Sequence, residues 1–581
     1  MLFACAARAG ELGDNSPALR MVRAWTRERR SREIRIAPLD REATERLARS
    51  VCSEVDAMRV FSESEGNPFF ALEIARALGA GTDRIPDTIH ELVAERIDRL
   101  DEHGRELVPW LAVWGRSFPP DRLPAVTELT AANVIAGIEL LERHGVVRAH
   151  DALTYDFAHD VIRRAALQRV SAPRRRMMHL RIARALAEIE GVRGELAGDI
   201  ARHAEGGGDA ELCARACVGA GKHCLRLFAY EEAAAAIDLG CRHVARLPRE
   251  ARIRLHMRLL KLLEHPALRR VATRRSAEIA RLCGEASEAG MASELSAGLH
   301  LLGWVHLAGG DFQSARKNAV RALDALLQRG QKDVIGLVEG ARCLAILDID
   351  VPRASAMFSD LSAFGDAAVE TLSFQWGLGL VKQWEGDAQA ALAALRKARA
   401  FARDARDHWA EFECLSTIAM IEIDDHKPAA VLALAGEFVP LAAKLGGGSE
   451  GAFAEALVAL AQLASGDVGA GARVDQAARA LERLDASFLL SYVLNGAAEI
   501  TIARGDAAHA RAQAERALTA ASAVDRASEV ARALALLAHA SALEGIRAEA
   551  QRHLDAARSI APERLSANAR RIIEYTRTFM R

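Results

Sequence analysis

The sequence predicts a mainly α fold in which stacked helical hairpins make up most of the chain. Three observations carry this. Ala and Leu dominate the 581 residues and only 15 Pro interrupt them, and both are strong helix formers. Strand signals are few. Gly-Asp recurs at Gly310-Asp311, Gly386-Asp387, Gly466-Asp467 and Gly505-Asp506, with weaker equivalents at Ile349-Asp350, Asp425-His426 and Gly545-Ile546, so that successive marks stand 37 to 41 residues apart. A period near 39 is the length of one helical hairpin. Glycine ends the first helix in a left-handed conformation, and aspartate caps the second. Ala229-Tyr230 lies 81 residues before Gly310, two periods away, with a degenerate unit near Pro266 between them. One hairpin cannot bury its own apolar face, so neighbours must stack into an α-solenoid. The reading places it over residues 171–581.

The elements before it are less regular. Leu2 to Ala7 is a short apolar run, and Ile34-Arg35-Ile36 alternates briefly. Ile36-Ala37-Pro38-Leu39-Asp40-Arg41-Glu42-Ala43 opens an amphipathic helix that continues through Leu47 and Val51. Ser64-Glu65-Gly66-Asn67-Pro68-Phe69-Phe70 leads into a helix running to Leu78, and Ile85-Pro86-Asp87-Thr88-Ile89 into another with Leu92, Ile97 and Leu100. A helix through Leu140 and Leu141 ends at Gly145. Val146-Val147-Arg148 and Thr154-Tyr155-Asp156-Phe157 then flank His150-Asp151, which reads as a hairpin turn.

Composition excludes several classes. Half the residues are apolar and the formal net charge is −1, a globular balance that disfavours a nucleic-acid-binding surface. The chain has eight Lys, the first at Lys222, so no P-loop lysine exists in the first 221 residues. No apolar stretch approaches the length of a membrane span, and the start lacks the basic region of a signal peptide. The nine Cys are scattered without a CxxC pair. They read as reduced thiols of a cytoplasmic protein.

Short motifs have bland alternatives. Val218-Gly219-Ala220-Gly221-Lys222-His223 suggests a phosphate loop, but Ala216 and His223 stand where the motif needs Gly and Ser/Thr, and helix flanks it on both sides. Gly447-Gly448-Ser449-Glu450-Gly451 matches GxSxG without the preceding strand that a nucleophile elbow needs. Cys213, Cys217, Cys224, His203 and His223 cluster irregularly, as small thiols in tight helix packing do. No catalytic residue and no metal ligand is assigned. Arg163, Arg164, Arg169, Arg174, Arg175, Arg176, Arg181 and Arg184 run without an intervening acid. They read as a DNA contact or as a solvated face paired with acids nearby. Trp304, Trp376, Trp384 and Trp409 read as core residues or as the lining of a concave groove.

The hairpin pattern resembles tetratricopeptide-like (TPR-like) solenoids of the looser type found in large bacterial signalling ATPases. The segments around Gly66-Asn67-Pro68 and Ala158-His159-Asp160, with the strand-like Leu2–Ala7 before Arg8, resemble the distal half of a STAND-type signalling ATPase, the AAA-type class with MalT-like and NB-ARC-like regulators. The resemblance implies four regions: a remnant of an α/β ATPase core at 1–36, a helical lid at 37–90, a winged-helix-like domain at 91–170, and the solenoid. It implies that Arg8 corresponds to a sensor arginine near the γ-phosphate and Pro68, after Gly66 and Asn67, to the lid proline that packs on adenine. His159 corresponds to the histidine that reaches the β-phosphate of ADP; the residue-by-residue alternative is a core histidine. Ala158 stands where the family often has a larger apolar residue. The Walker segments of the family are not in this chain, which implies a truncated product, a late start, or a lost core.

The expected function is therefore regulatory and non-catalytic. The solenoid would take a protein, peptide or small effector in its groove, with no cofactor of its own. The alternative is an ATP/ADP-dependent STAND switch, in transcription regulation or linked to a cyclase, whose P-loop is supplied upstream. Nucleic acid and membrane are not expected as partners, and oligomer formation stays open.

Overall fold

The computed structural model describes residues 16–28, 32, 34, 36–81, 87–115, 117–328, 333–446 and 448–581. Leu2 to Ala7 and Arg8 lie outside the described residues; within 1–36, Ser16–Arg27 is a helix. The chain divides into two compact units with the boundary after Ala216.

In the N-terminal unit, local capping chemistry starts each helix. Asp40 accepts from Ala43 N ahead of Arg41–Val51, Asp56 from Arg59 N ahead of Ala57–Ser64, and Asn67 from Phe69 N and Phe70 N ahead of Pro68–Gly79. These three helices pack on one another. Asp101 caps Glu102–Trp114, which ends at left-handed Gly115, and Thr130 caps Ala131–Arg143. The expected hairpin follows. Strand β1 (Val147–Ala149) pairs antiparallel with β2 (Tyr155–Phe157), Val147 opposite Phe157. Phe118 adds a further bridge through reciprocal backbone hydrogen bonds with Tyr155. Asp151 makes the turn by accepting from Leu153 N and Thr154 N, and these bonds hold its carboxyl below its ordinary range. Helix Asp160–Gln168 closes the set over a core of Leu107, Leu111, Phe118, Leu141, Val146 and Ile162.

Residues 171–216 were expected to begin the solenoid. They belong instead to this first unit. Helices Ala172–Glu190 and Ala197–Gly207 pair with each other, and Arg181 on the former reaches the Glu128 carboxylate and the Thr127 carbonyl.

The C-terminal unit is an α-solenoid. Helices Tyr230–Val244 and Arg249–Leu260 make one hairpin. Near Pro266 the pattern breaks, as expected, into two 3-10 turns and the short helix Arg269–Arg274 before Ser276–Glu288. Regular hairpins then run from Ala292–Ala308 with Phe312–Leu327 to Ala527–Leu543 with Arg547–Arg558, and Ala567–Phe579 ends the chain. Gly310, Gly386, Gly466, Gly505 and Gly545 all take positive φ between the paired helices, and Asp311, Asp387 and Asp506 cap the second helices. At two of the weaker marks, non-glycine residues take the left-handed position: Asp348 and His426. A second series of left-handed residues joins one hairpin to the next at Gly365, Arg406, Gly446, Asp485 and Asp525.

The two helices of a hairpin differ in burial. Ala527–Leu543 is buried around most of its circumference, whereas Arg547–Arg558 buries only Ala550, Leu554 and Ala557. First helices thus form an inner layer and second helices an amphipathic outer one. The solenoid also winds tightly. Tyr230 Oη donates to the Lys444 carbonyl (2.9 Å), His408 Nε2 lies 3.1 Å from the Arg226 carbonyl, and Arg316 pairs with Asp525 at 2.5 Å. These partners are 182 to 214 residues apart, roughly five hairpins at the observed period, so successive turns of the superhelix touch. Phe312 stacks on Phe488 in the same way, 6.2 Å between ring centroids.

Candidate functional site

The residues of the STAND resemblance that are described come together in the N-terminal unit. Leu39 N donates to the Gly66 carbonyl (2.8 Å), and a Cβ on Gly66 would meet the Leu39 carbonyl at 2.1 Å, so only glycine fits there. Asn67 is the helix cap, and Pro68 stands at the first helical position. His159 packs edge-on against Phe70 (5.4 Å between centroids), and its Nδ1 is 3.8 Å from the Glu65 carboxylate, which also binds Arg148 at 2.7 Å. Each of these residues therefore has a local structural reason. For a phosphate the fit is poor: Asn67 already occupies the amides of Phe69 and Phe70, and the carboxylate beside His159 carries the wrong sign.

Other sequence candidates resolve plainly. Gly219 to His223 lie inside the helix Ala210–Arg226, with no loop to hold a phosphate. Ser449 precedes helix Glu450–Ala464 and follows a helix, not a strand. Cys213 and Cys217 are fully buried, and His203 faces His179 and Arg202. Five of the eight arginines pair with acids, Arg163 with Asp160, Arg164 with Glu63, Arg169 with Asp98, Arg181 with Glu128 and Arg184 with Asp209, while Arg175 and Arg176 donate to backbone carbonyls. The solvated-face reading fits this arrangement, because four of the five acids come from other segments of the chain.

The solenoid's inner layer holds two buried ionic clusters that sequence reasoning missed. One surrounds Arg532, which is 2% exposed. Its guanidinium lies 3.3 Å from Glu529, 3.4 Å from Glu499 and 3.6 Å from Asp424, and 5.4 Å over the Tyr492 ring. Arg571 adds a second cation to Glu499 at 2.9 Å, and Asn495 Nδ2 donates to Glu529 at 2.8 Å. Burial pushes Asp424 up to about 7 against the pull of Arg532. Burial also opposes ionised Glu529, but Arg532 and Arg526 outweigh it and keep that carboxyl low.

The second cluster lies on the inner helices Ala292–Ala308, Val334–Ile346, Leu372–Glu385 and His408–Asp424 and the 3-10 turn Lys261–Glu264. Arg342 pairs with Glu339, Ser373 Oγ donates to Glu339 at 2.6 Å, and Arg342 stacks 4.5 Å over Trp376. Burial disfavours the Glu339 charge, but Arg342 and Lys261 together hold its carboxyl well below the usual range. Trp409 contacts both Trp304 and Trp376 at 5.7 Å between centroids. Glu413, one turn beyond Trp409, shares its face. No hydrogen-bond or ion-pair partner stands against the Glu413 carboxyl among the described residues. Burial, reinforced by Glu450, pushes it up to about 8. Burial raises Glu450 and Glu264 as well, and lowers His300 to about 4. Lys261 and Arg342 act on Glu264 and Glu339, Arg342 also on Glu413, and Arg269 on Glu450.

Of the tryptophans, Trp376 is buried core, while Trp304 and Trp409 are half-buried beside Glu413's helix face. The only signal in the sequence was Trp409-x-x-x-Glu413 on one helical face.

No family model and no curated protein matches the chain. Solved structures do match. A Signal Transduction ATPase with Numerous Domains (STAND) protein with a tetratricopeptide repeat sensor, from Pyrococcus horikoshii, is 14% identical, with 93% of this chain and 69% of that one covered and a TM-score of 0.27. A Rap protein complexed with Competence and Sporulation Factor is 12% identical over 64% of this chain and all of that one, with a TM-score of 0.34. A circular tandem repeat protein is 15% identical over 93% of this chain, with a TM-score of 0.11. At these scores none of them carries a function to this chain. Among the described residues, no helix is long and apolar enough to cross a membrane.

Proposed function

We propose that the chain is a non-catalytic regulatory protein whose solenoid binds a protein, peptide or small effector on its inner layer, through a cationic group of that ligand. The observation that carries this is the half-buried Glu413 carboxyl, one helical turn from Trp409 and without a hydrogen-bond or ion-pair partner among the described residues. A half-buried carboxyl without a countercharge is held towards its neutral form and gains most from an incoming cation. An incoming amine or guanidinium restores the balance, and the adjoining indole faces add cation–π attraction. The test is tryptophan fluorescence of the full chain titrated with short synthetic peptides of defined charge. Lysine- or arginine-bearing peptides should change the emission and bind, and Glu413→Gln should abolish it. Equal binding of acidic peptides, or binding unchanged in Glu413→Gln, would refute the reading.

A second reading keeps the alternative switch. Here residues 37–90 and 91–170 serve as lid and winged helix, and Arg8, Gly66, Asn67, Pro68 and His159 are the ancestral nucleotide contacts. What favours it is the packing of His159 against Phe70, next to Gly66-Asn67-Pro68. Calorimetry with ADP and with ATP plus magnesium tests it: binding that His159→Ala loses would support it, and no binding at millimolar nucleotide would end it.

A further inference from the structure

Three helices of the C-terminal unit bring together a thiol, an imidazole and a carboxylate that are distant in sequence. Cys241 lies on Tyr230–Val244, His256 on Arg249–Leu260 and Glu278 on Ser276–Glu288. One ligand atom from each falls within 4.8 Å of the other two, and a ring nitrogen of His256 is 2.8 Å from Glu278 Oε1. Sulfur, nitrogen and oxygen donors within one coordination sphere are the set that Zn²⁺ and neighbouring divalent transition ions take, with a fourth position left open. We propose that Cys241, His256 and Glu278 form a binding site for one Zn²⁺-class ion.

The surroundings bear on this in two ways. Arg275 already places a cation there: its Nη1 lies 3.4 Å from Cys241 Sγ and 3.1 Å from Glu278 Oε2, while the same guanidinium pairs with Asp238. The donor set thus attracts positive charge, and Asp238 offers Arg275 a place to withdraw to. Arg252, the other cation facing His256, is held by Glu285 at 2.6 Å. The location also makes structural sense. The triad spans the stretch where the hairpin pattern gives way to 3-10 turns near Pro266, and an ion there would tie the hairpin before the break to the helix after it.

The protonation states balance simply. Burial keeps Cys241 a neutral thiol, its pKa pushed up to about 11, and burial lowers His256, leaving a neutral ring with a lone pair. Binding replaces the S–H bond by an S–metal bond and releases one proton to solvent, with no change in oxidation state.

Co²⁺ titration of the full-length protein tests the site, because a thiolate on cobalt gives a near-ultraviolet charge-transfer band. One equivalent should produce that band. Cys241→Ser should remove it, and Arg275→Ala should tighten binding about tenfold by removing the competing cation. Calorimetry in buffers of different ionisation enthalpy should report one proton released. No band in either the native protein or Arg275→Ala would overturn the proposal. So would a band that survives in Cys241→Ser, since the ion would then sit on another thiol.

Discussion

The two ionic clusters of the inner layer are built from the same materials and reach opposite states. Around Arg532 every carboxyl meets a cation: Glu529, Glu499 and Asp424 all contact Arg532, Arg571 joins Glu499, Asn495 donates to Glu529 and the Tyr492 hydroxyl donates to Asp424. Around Arg342, Glu339 is satisfied by Arg342 and Ser373, but Glu413 is not. A closed cluster fixes the register of stacked hairpins, because any slip leaves a charge alone in a poor dielectric. An open one keeps a vacancy for something from outside. The comparison teaches that burial of charge is not one phenomenon in this molecule; what matters is whether each carboxyl has a cation against it.

Breaking the closed cluster should have the largest effect. Arg532→Met leaves Glu529, Glu499 and Asp424 facing each other and should cost about 3–5 kcal/mol, read as a large fall in urea midpoint. The open cluster should respond with the opposite sign. Glu413 is an acid whose folded pKa, about 8, lies above its ordinary 4.5. Its stabilising contribution is complete below about pH 4.5, where both states are protonated, and is lost as pH rises towards 8, because only the unfolded chain ionises freely. Glu413→Gln should therefore raise stability by ~1–3 kcal/mol at pH 8 and make little difference at pH 4. A variant no more stable at pH 8 than the native chain would erase the contrast between the clusters.

Two turn substitutions sharpen the comparison by moving stability without touching either cluster. Gly505 is left-handed with open space around it, so Gly505→Ala tests backbone strain alone and should cost about 1–2 kcal/mol. Asp485 is left-handed without being glycine, and Asp485→Gly should gain about 0.5–1 kcal/mol. Thermal melts at pH 4 and pH 8 should show both shifts equally at the two pH values, unlike that of Glu413→Gln.

These positions also explain what the sequence could and could not reveal. Gly505-Asp506 was readable because turn and cap chemistry is local: one residue supplies positive φ and the next accepts from His509 N. The marks at Ile349 and Asp425 were faint because Asp348 and His426, not glycines, take the left-handed position. The second series of turns went unseen for a related reason, since only Gly365 and Gly446 in it are glycines while Arg406, Asp485 and Asp525 carry no glycine signature. The partners of the arginine run, the triad of Cys241, His256 and Glu278, and the company of Glu413 depend on how hairpins stack, which no local pattern encodes. The boundary between the two compact units after Ala216 carried no mark, because an Ala-rich helical pair such as Ala172–Glu190 and Ala197–Gly207 looks the same in sequence whichever unit it packs against.

The contacts between hairpins about five apart have a mechanical meaning. A coil whose turns already touch, through Phe312 on Phe488 and Arg316 on Asp525, behaves as a closed spring. It resists compression and yields only to stretching. Anything larger than a few atoms that reaches the inner layer must thread along the axis or prise the turns apart, and a coil held open would store that work as tension until its guest departs.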